Sequence, residues 1–413
     1  MTEAQTTNTG RGRRWLNRNV AAVALLSLFS DMSHEMVTAV MPFFVVALGG
    51  SAAAVGIIEG ASDFFASVAK VWIPHYSDQI GRRKPFLVTG YLLTAIKGVM
   101  AFATSWNMVL VVRVVAWLGR GMRGPVRDAL LADSVPPQFV GRAFGLHRAA
   151  DTIGAILGPA IALGLLALGW HYREIFLASL LPGGLTILIV VLIVKEGSSR
   201  PGHGRGFRES LGQLPREFRG FVAAAGVFGL GNFGHTLLIL HAQQQLAPTL
   251  GTARADAWAI GLYMLFNLTY ALASYPAGYF SERLGKRRLL ALGYLIFALM
   301  CLGFLFFDGN IVALALLFAL GGVYIALVDT LEGALAADLL PEHLRATGYG
   351  VLGSVNGVGD LVSSLTVGLL WARVSTASGF IYAVVLATLG TILLYALTPG
   401  QPSLKAKPGV TNV

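Results

Sequence analysis

Asp31, His34 and Glu35 fall within one helical turn of an otherwise apolar run, and Glu59 and Asp63 repeat the one-turn spacing in the next, with Lys70 two turns on. Residues three or four apart share a helix face. Two carboxylates held together in a low dielectric repel each other, and burial disfavours the charged form of each. Groups so placed take up and release protons, which makes Asp31 and Glu35 the candidates for proton coupling. The competing role is a pairing of one acid with Arg113 or Arg127 that holds helices together. Glu59 lies near the end of its run and reads as solvated rim. Asp63 and Lys70 are the more interesting residues of that run.

Further along, Arg113 stands in an apolar run that ends in Arg120, Arg123, Arg127 and Asp128. Later runs carry Asn232, His235 and His241, then Tyr324, Asp329 and Glu332. His34, Arg113, Asn232, His235, Tyr324 and Asp329 are the candidates for lining a substrate cavity. A histidine beside Asp31 and Glu35 has metal-binding chemistry but no tight ligand spacing, so no metal is assigned. No glycine-rich loop ends in Lys-Ser or Lys-Thr, which leaves no sign of ATP as the driver. Cys301, the single cysteine, has no disulfide partner and reads as packing. Nothing here points to an enzyme or to a cofactor.

Charges inside a bilayer are functional by default, and the elements around these ones read as membrane spans. The chain has 413 residues, 55% hydrophobic and 13% charged, with a mean hydropathy of +0.67. Its apolar runs reach the roughly 20 residues a bilayer demands. Twelve spans are predicted, the first six at 20–48, 52–76, 84–105, 107–131, 143–168 and 174–195. The second six are placed at 220–246, 257–281, 288–308, 310–336, 346–371 and 377–397. All are expected to be helices, because an open strand edge cannot be satisfied in lipid. The run from Val20 is too long for a cleaved signal and reads as a retained first span.

The net charge of +10 does not indicate nucleic acid, because the bases sit at span ends and in alternate loops. The N-terminal tail, the loops after spans 2 and 8, and the linker after span 6 are basic. The opposite loops hold only Arg173, Arg254 and Arg373. The positive-inside rule places both termini in the cytoplasm. The expected order is a tail at 1–19, a bundle at 20–195, a linker at 196–219, a second bundle at 220–397 and a tail at 398–413.

The halves repeat. Ser77-Asp78-Gln79-Ile80-Gly81-Arg82-Arg83-Lys84 returns as Ser281-Glu282-Arg283-Leu284-Gly285-Lys286-Arg287-Arg288. Asp31 to His34 matches Asn232 to His235, and Asp133 and Pro136 match Asp338 and Pro341. Gly145, Asp151 and Gly154 match Gly350, Asn356 and Gly359. Each half has an even number of spans, so the copies are parallel repeats about an axis along the membrane normal. Arg127 matches Glu332 and is placed to pair with it across a cavity and part as the cavity opens. Asp31 lies nearer that end and suits a conformational role; Glu35 lies nearer midspan and suits the proton.

The chain resembles the major facilitator superfamily over nearly its whole length. The family's loop pattern is met at Asp78, Gly81, Arg82 and Arg83, with departures at Pro74 and Gln79. In the second copy it is met at Gly278, Arg283, Gly285, Lys286 and Arg287, with Glu282 for Asp. Gly154, Gly158 and Pro159 in span 5 look like the Gly-x-x-x-Gly-Pro of the family's efflux antiporters, or else form a packing notch. Arg113 stands where those antiporters place an arginine, with Trp117 at the position of their glycine. The resemblance implies an all-α membrane protein, with two six-helix bundles rocking about a cavity lined by spans 1, 4, 7 and 10. It implies that Asp78 and Glu282 pair with neighbouring arginines or helix N-termini to close the inner face, so the gating candidates are Asp78, Arg82, Arg83, Glu282, Arg283 and Lys286, with Arg127 and Glu332 from the repeat alignment. The expected function is proton-coupled efflux of a small molecule by a monomer in the lipid bilayer of the bacterial inner membrane. Uptake of a metabolite, anion or metal complex is the alternative, and a membrane sensor the alternative outside transport.

Overall fold

The computed structural model describes residues 16–80, 82–136, 139–196, 211–307, 309–341 and 344–398, and the side chains of all of these except 74–79 and 346. Among the described residues every regular element is a helix. Span 1 is Arg18–Ala47, span 2 Ala52–Ile80, span 4 Trp106–Asp133 and span 5 Val140–Ala167. Span 3 starts as Lys84–Ala95 and tightens to a 3-10 helix over Ile96–Phe102. Span 6 is split into Tyr172–Ala178 and Leu180–Leu192. In the second bundle, span 7 consists of Arg216–Gly229 and His235–Leu250, and span 8 is Thr252–Leu284. Spans 9 to 12 are Lys286–Phe306, Ile311–Leu339, Arg345–Arg373 and Thr376–Leu397. The two six-helix bundles are related by a pseudo-two-fold axis along the membrane normal.

Ten of these helices are long and apolar enough to cross a membrane by length and composition. The other two are span 4, with its four arginines and two aspartates, and span 7, whose pieces are individually short. Span 7 was expected to be continuous. Gly229, Gly231 and Gly234 break it, and other spans satisfy the freed backbone groups, as a bilayer requires. Ser363 Oγ donates to the Asn232 carbonyl at 2.9 Å and Tyr382 to that of Leu230 at 2.8 Å, while the Gly234 N–H donates to Ser364 Oγ at 3.0 Å. The break delivers Asn232 and His235 to the centre of the molecule. Between spans 8 and 9, Gly285 takes φ +91°, a left-handed turn that glycine adopts without a Cβ clash.

Close backbone approach joins the elements. A methyl group at Gly154 would lie 2.4 Å from the Leu28 carbonyl oxygen, and one at Gly158 would lie 2.7 Å from that of Met32. The span-5 glycines are therefore where span 1 nests. Gly158→Val is expected to force spans 1 and 5 apart and lower the thermal unfolding midpoint of the purified protein. Gly164→Val, at a glycine with open space around it, should leave the midpoint unchanged. Equal midpoints for the two variants would remove the nesting argument.

Between the bundles, spans 2 and 11 meet in the same way. A methyl at Gly56 would lie 2.1 Å from the Ser364 carbonyl oxygen, and one at Gly368 would lie 2.7 Å from that of Ala52. At the end away from the basic loops one apolar cluster runs through both bundles, including Val40, Phe43 and Phe44 from span 1 with Leu237, Ile239 and Leu240 from span 7. Tyr172 OH donates to Asp256 across the bundles there. At the basic end the further apolar clusters belong to the first bundle alone. The apolar seam shared by spans 1 and 7 therefore lies at the end away from the basic loops.

Candidate transport cavity

A cavity of about 430 Å³ lies between the bundles, reaching from midspan toward the basic end. Asp31 and Glu35 both line it and both are 8% exposed. Their one-turn spacing on span 1 places them on the cavity side. Of the sequence-derived cavity candidates, Asn232, His235, Tyr324 and Asp329 line it, and His34 and Arg113 do not.

Arg113 instead holds the first bundle together. It is fully buried, and Nη2 pairs with Glu59 at 3.2 Å while Nη1 donates to Thr38 at 3.3 Å. Glu59 is only 3% exposed, which corrects its reading as solvated rim: the end of span 2 near it is covered by span 4 and by the span 7 break at Gly234. The Arg113 guanidinium also lies 3.5 Å from the ring centroid of Trp117, a favourable cation–π contact. Trp117 Nε1 donates to Asp63 at 2.9 Å, and the His34 ring sits 4.6 Å from the indole. His34 Nε2 meets the Arg120 guanidinium and lies 3.6 Å from Glu35. His34 thus stands behind the cavity wall and connects Arg120 to the span-1 acids.

The bundles meet at Glu35. Tyr263 of span 8, 2% exposed, donates its hydroxyl to Glu35 at 2.6 Å, and the same oxygen lies 3.1 Å from His235 Nε2. The His235 and Tyr263 rings stack with centroids 5.2 Å apart. A carboxylate from one bundle, a phenol from the other and an imidazole form one continuous hydrogen-bonded chain. On the second bundle's wall Tyr324 OH donates to Asn232 at 3.2 Å, Tyr270 OH to Asp329 at 3.1 Å and Asn356 to Glu332 at 2.7 Å. The expected Arg127–Glu332 pair is not formed in this state: Arg127 pairs with its neighbour Asp128 at 3.0 Å, within its own bundle.

At the basic end the loop motifs reach the ends of spans 4 and 10. Arg83 pairs with Asp133 at 2.5 Å, and Lys286 with Asp338 at 2.7 Å. The two aspartates are repeat mates, so each half ties its loop to the same carboxylate. The Arg83 N–H also donates to Glu196 at 2.6 Å. Arg82 and Glu282 are exposed, and Arg283 Nη2 donates to Tyr279 OH at 2.6 Å. The Asp78 side chain lies outside the described residues. Among those described, no group of three His, Cys, Asp or Glu is placed to hold a metal ion.

Sequence reasoning missed Tyr263, Tyr270 and Asp360, which line the cavity. The tyrosines carry no charge and look like ordinary membrane aromatics. Asp360 is an acid inside a predicted span and was open to the argument that singled out Asp31.

The Major Facilitator Superfamily matches residues 23–255 and, again, 220–411. An uncharacterized MFS-type transporter of Methanocaldococcus jannaschii is 34% identical over 383 residues, 92% of this chain and 95% of that protein. The gentisate transporter of Corynebacterium glutamicum is 26% identical over 367 residues, 84% of this chain and 80% of that one. A crystal structure of a mutant of the nucleoside transporter NupG superposes with a TM-score of 0.74 at 14% identity, covering 92% of this chain and 98% of that chain.

Proposed function

Because this chain belongs to the Major Facilitator Superfamily, we propose that it is a proton-coupled secondary transporter that exports a small organic solute by alternating access. The observation that carries this reading is the 2.6 Å hydrogen bond from Tyr263 of one bundle to Glu35 of the other. An ionised Glu35 accepts a charge-assisted bond that ties the bundles together at midspan. A protonated Glu35 loses that assistance, and the bundles are freer to repack. Hydrogen bonds to charged groups contribute about 1.5–3 kcal/mol, enough to shift a two-state equilibrium roughly tenfold to a hundredfold. Protonation is thereby converted into a change of access.

Export rests on the resemblance of Gly154, Gly158 and Pro159 to the efflux antiporters' span-5 pattern. Import of an organic acid is the second reading, favoured by the similarity to the gentisate transporter. Solute movement in everted against right-side-out vesicles separates the two: export predicts proton-driven accumulation only in everted ones.

The basic end is assigned to the cytoplasm of a bacterial inner membrane, so the cavity described above faces inward. In a Cys301→Ala background, cysteines at Lys84 and Arg288 should be labelled only from the cytoplasm, and those at Arg254 and Arg373 only from outside. The sequence also places Arg13, Arg208 and Lys405 inside; these lie outside the described residues. Labelling of positions 84 and 254 from the same side would overturn the assignment.

A further inference from the structure

We propose that the solute is an organic cation whose charged group docks on the second bundle's wall of the cavity. This rests on the transport reading above and adds the substrate's class. The charges that line the cavity are unequal. The first bundle contributes Asp31, Glu35, Asp63 and Asp151 together with Arg120 and Arg148; the second contributes Asp329, Glu332 and Asp360 with no lysine or arginine among its described lining residues. Seven carboxylates thus face two guanidiniums, both on the first bundle.

Those two guanidiniums already have partners. Arg148 pairs with Asp151 at 3.4 Å, and Arg120 meets His34 beside Glu35. The hydrogen-bond donors to the second wall's acids are neutral, the hydroxyl of Tyr270 on Asp329 and the amide of Asn356 on Glu332, while Lys70 and Arg148 of the first bundle act on Asp329, and Lys70 on Asp360, through space. An anion entering there would meet three acids against Lys70 and Arg148, both supplied by the opposite bundle. An ammonium would be attracted by all three. The same wall supplies the aromatic rings of Phe266, Tyr270 and Tyr324, with Tyr263 stacked on His235, and aromatic rings favour a nearby cation and bury an apolar body. The volume of about 430 Å³ falls in the range of small-molecule sites. A bare metal ion fits less well, since the described acids do not gather into a three-ligand group.

The test is equilibrium binding to the purified full-length protein, with no gradient present. The probes are benzyltrimethylammonium, tetraphenylphosphonium and, as the anion, 3-phenylpropionate. At least one cation is expected to bind tenfold or more tightly than the carboxylate. Combining Asp329→Asn, Glu332→Gln and Asp360→Asn should weaken that cation at least tenfold. The charge-preserving pair Asp329→Glu with Glu332→Asp should retain it, which separates lost charge from lost fold. Preference for the carboxylate, failure of both cations to exceed it, or equal binding by the neutralised and charge-preserving proteins would overturn the proposal. Failure of the coupling reading is distinguishable: cations would then bind as described, yet no proton gradient would drive their movement.

Discussion

A Glu35→Gln protein is expected to lose proton-driven accumulation while still exchanging solute down its own gradient. The amide keeps an oxygen for the Tyr263 hydroxyl, so the 2.6 Å contact between bundles can persist. The group no longer titrates, however, and the contact no longer responds to the proton. In proteoliposomes with an imposed pH gradient, uphill accumulation should fall at least tenfold, to the background of empty vesicles, while counterflow stays within about twofold. Tyr263→Phe should give the complementary defect. It leaves the acid able to titrate but removes its link to span 8, so accumulation falls while proton binding survives. Asp31 lies one turn away on the same cavity wall with Asp151 and Arg120, and Asp31→Asn tests whether it shares the role. Uphill transport that survives both Glu35→Gln and Asp31→Asn would take span 1 out of the coupling step and direct attention to Asp63 and Asp329.

The second large effect concerns stability. Arg113→Met should destabilise the protein by about 3–5 kcal/mol, because it leaves the Glu59 carboxylate buried without its cation. Neither side chain has water to fall back on, being 0% and 3% exposed. The loss also removes the donor to Thr38 and the stack on Trp117. Arg113→Lys should recover only part of it, since an ammonium cannot reproduce the fork that reaches both Glu59 and Thr38. Combining Arg113→Met with Glu59→Met should be much milder than Arg113→Met alone, because no unpaired charge remains. Thermal unfolding of the three purified variants reads this directly. A double variant as unstable as the single would mean that the pair is not coupled and that Arg113 acts through packing alone. The outcome bears on function as well: Arg113 then counts as scaffold for the Trp117–Asp63 and His34–Arg120 contacts that form the cavity wall.

Much of this architecture is legible without coordinates because it is written in local or periodic terms. Run length against bilayer thickness yields twelve spans. The ordered series of matches between the halves yields two parallel bundles, and the bias of Lys and Arg toward alternate loops is the basis for the cytoplasmic placement proposed for both termini. The cost of burying charge singles out Asp31 and Glu35 in span 1, and both do line the cavity. Even the repeat pair Asp133 and Asp338 is visible as a match, although its bonds to Arg83 and Lys286 are not.

Only the tertiary structure decides what each polar residue faces. Glu59 and Arg113 are 54 positions apart, and Glu35 and Tyr263 are 228 apart. Nothing local says that the first pair is sealed inside one bundle while the second bridges two. Rotating a helix by one residue, about 100°, carries a side chain from cavity to core, and that rotation is set by contacts such as those at Gly154 and Gly158 with span 1. The break in span 7 follows the same logic. Its glycines permit it, but Ser363, Ser364 and Tyr382 must arrive from other spans before the freed backbone is tolerated in a membrane. The sequence by itself determined how many helices there are and that they form two repeated bundles. The tertiary structure determined which charges are sealed inside a bundle and which line the cavity, because pairing and burial are properties of helices packed together.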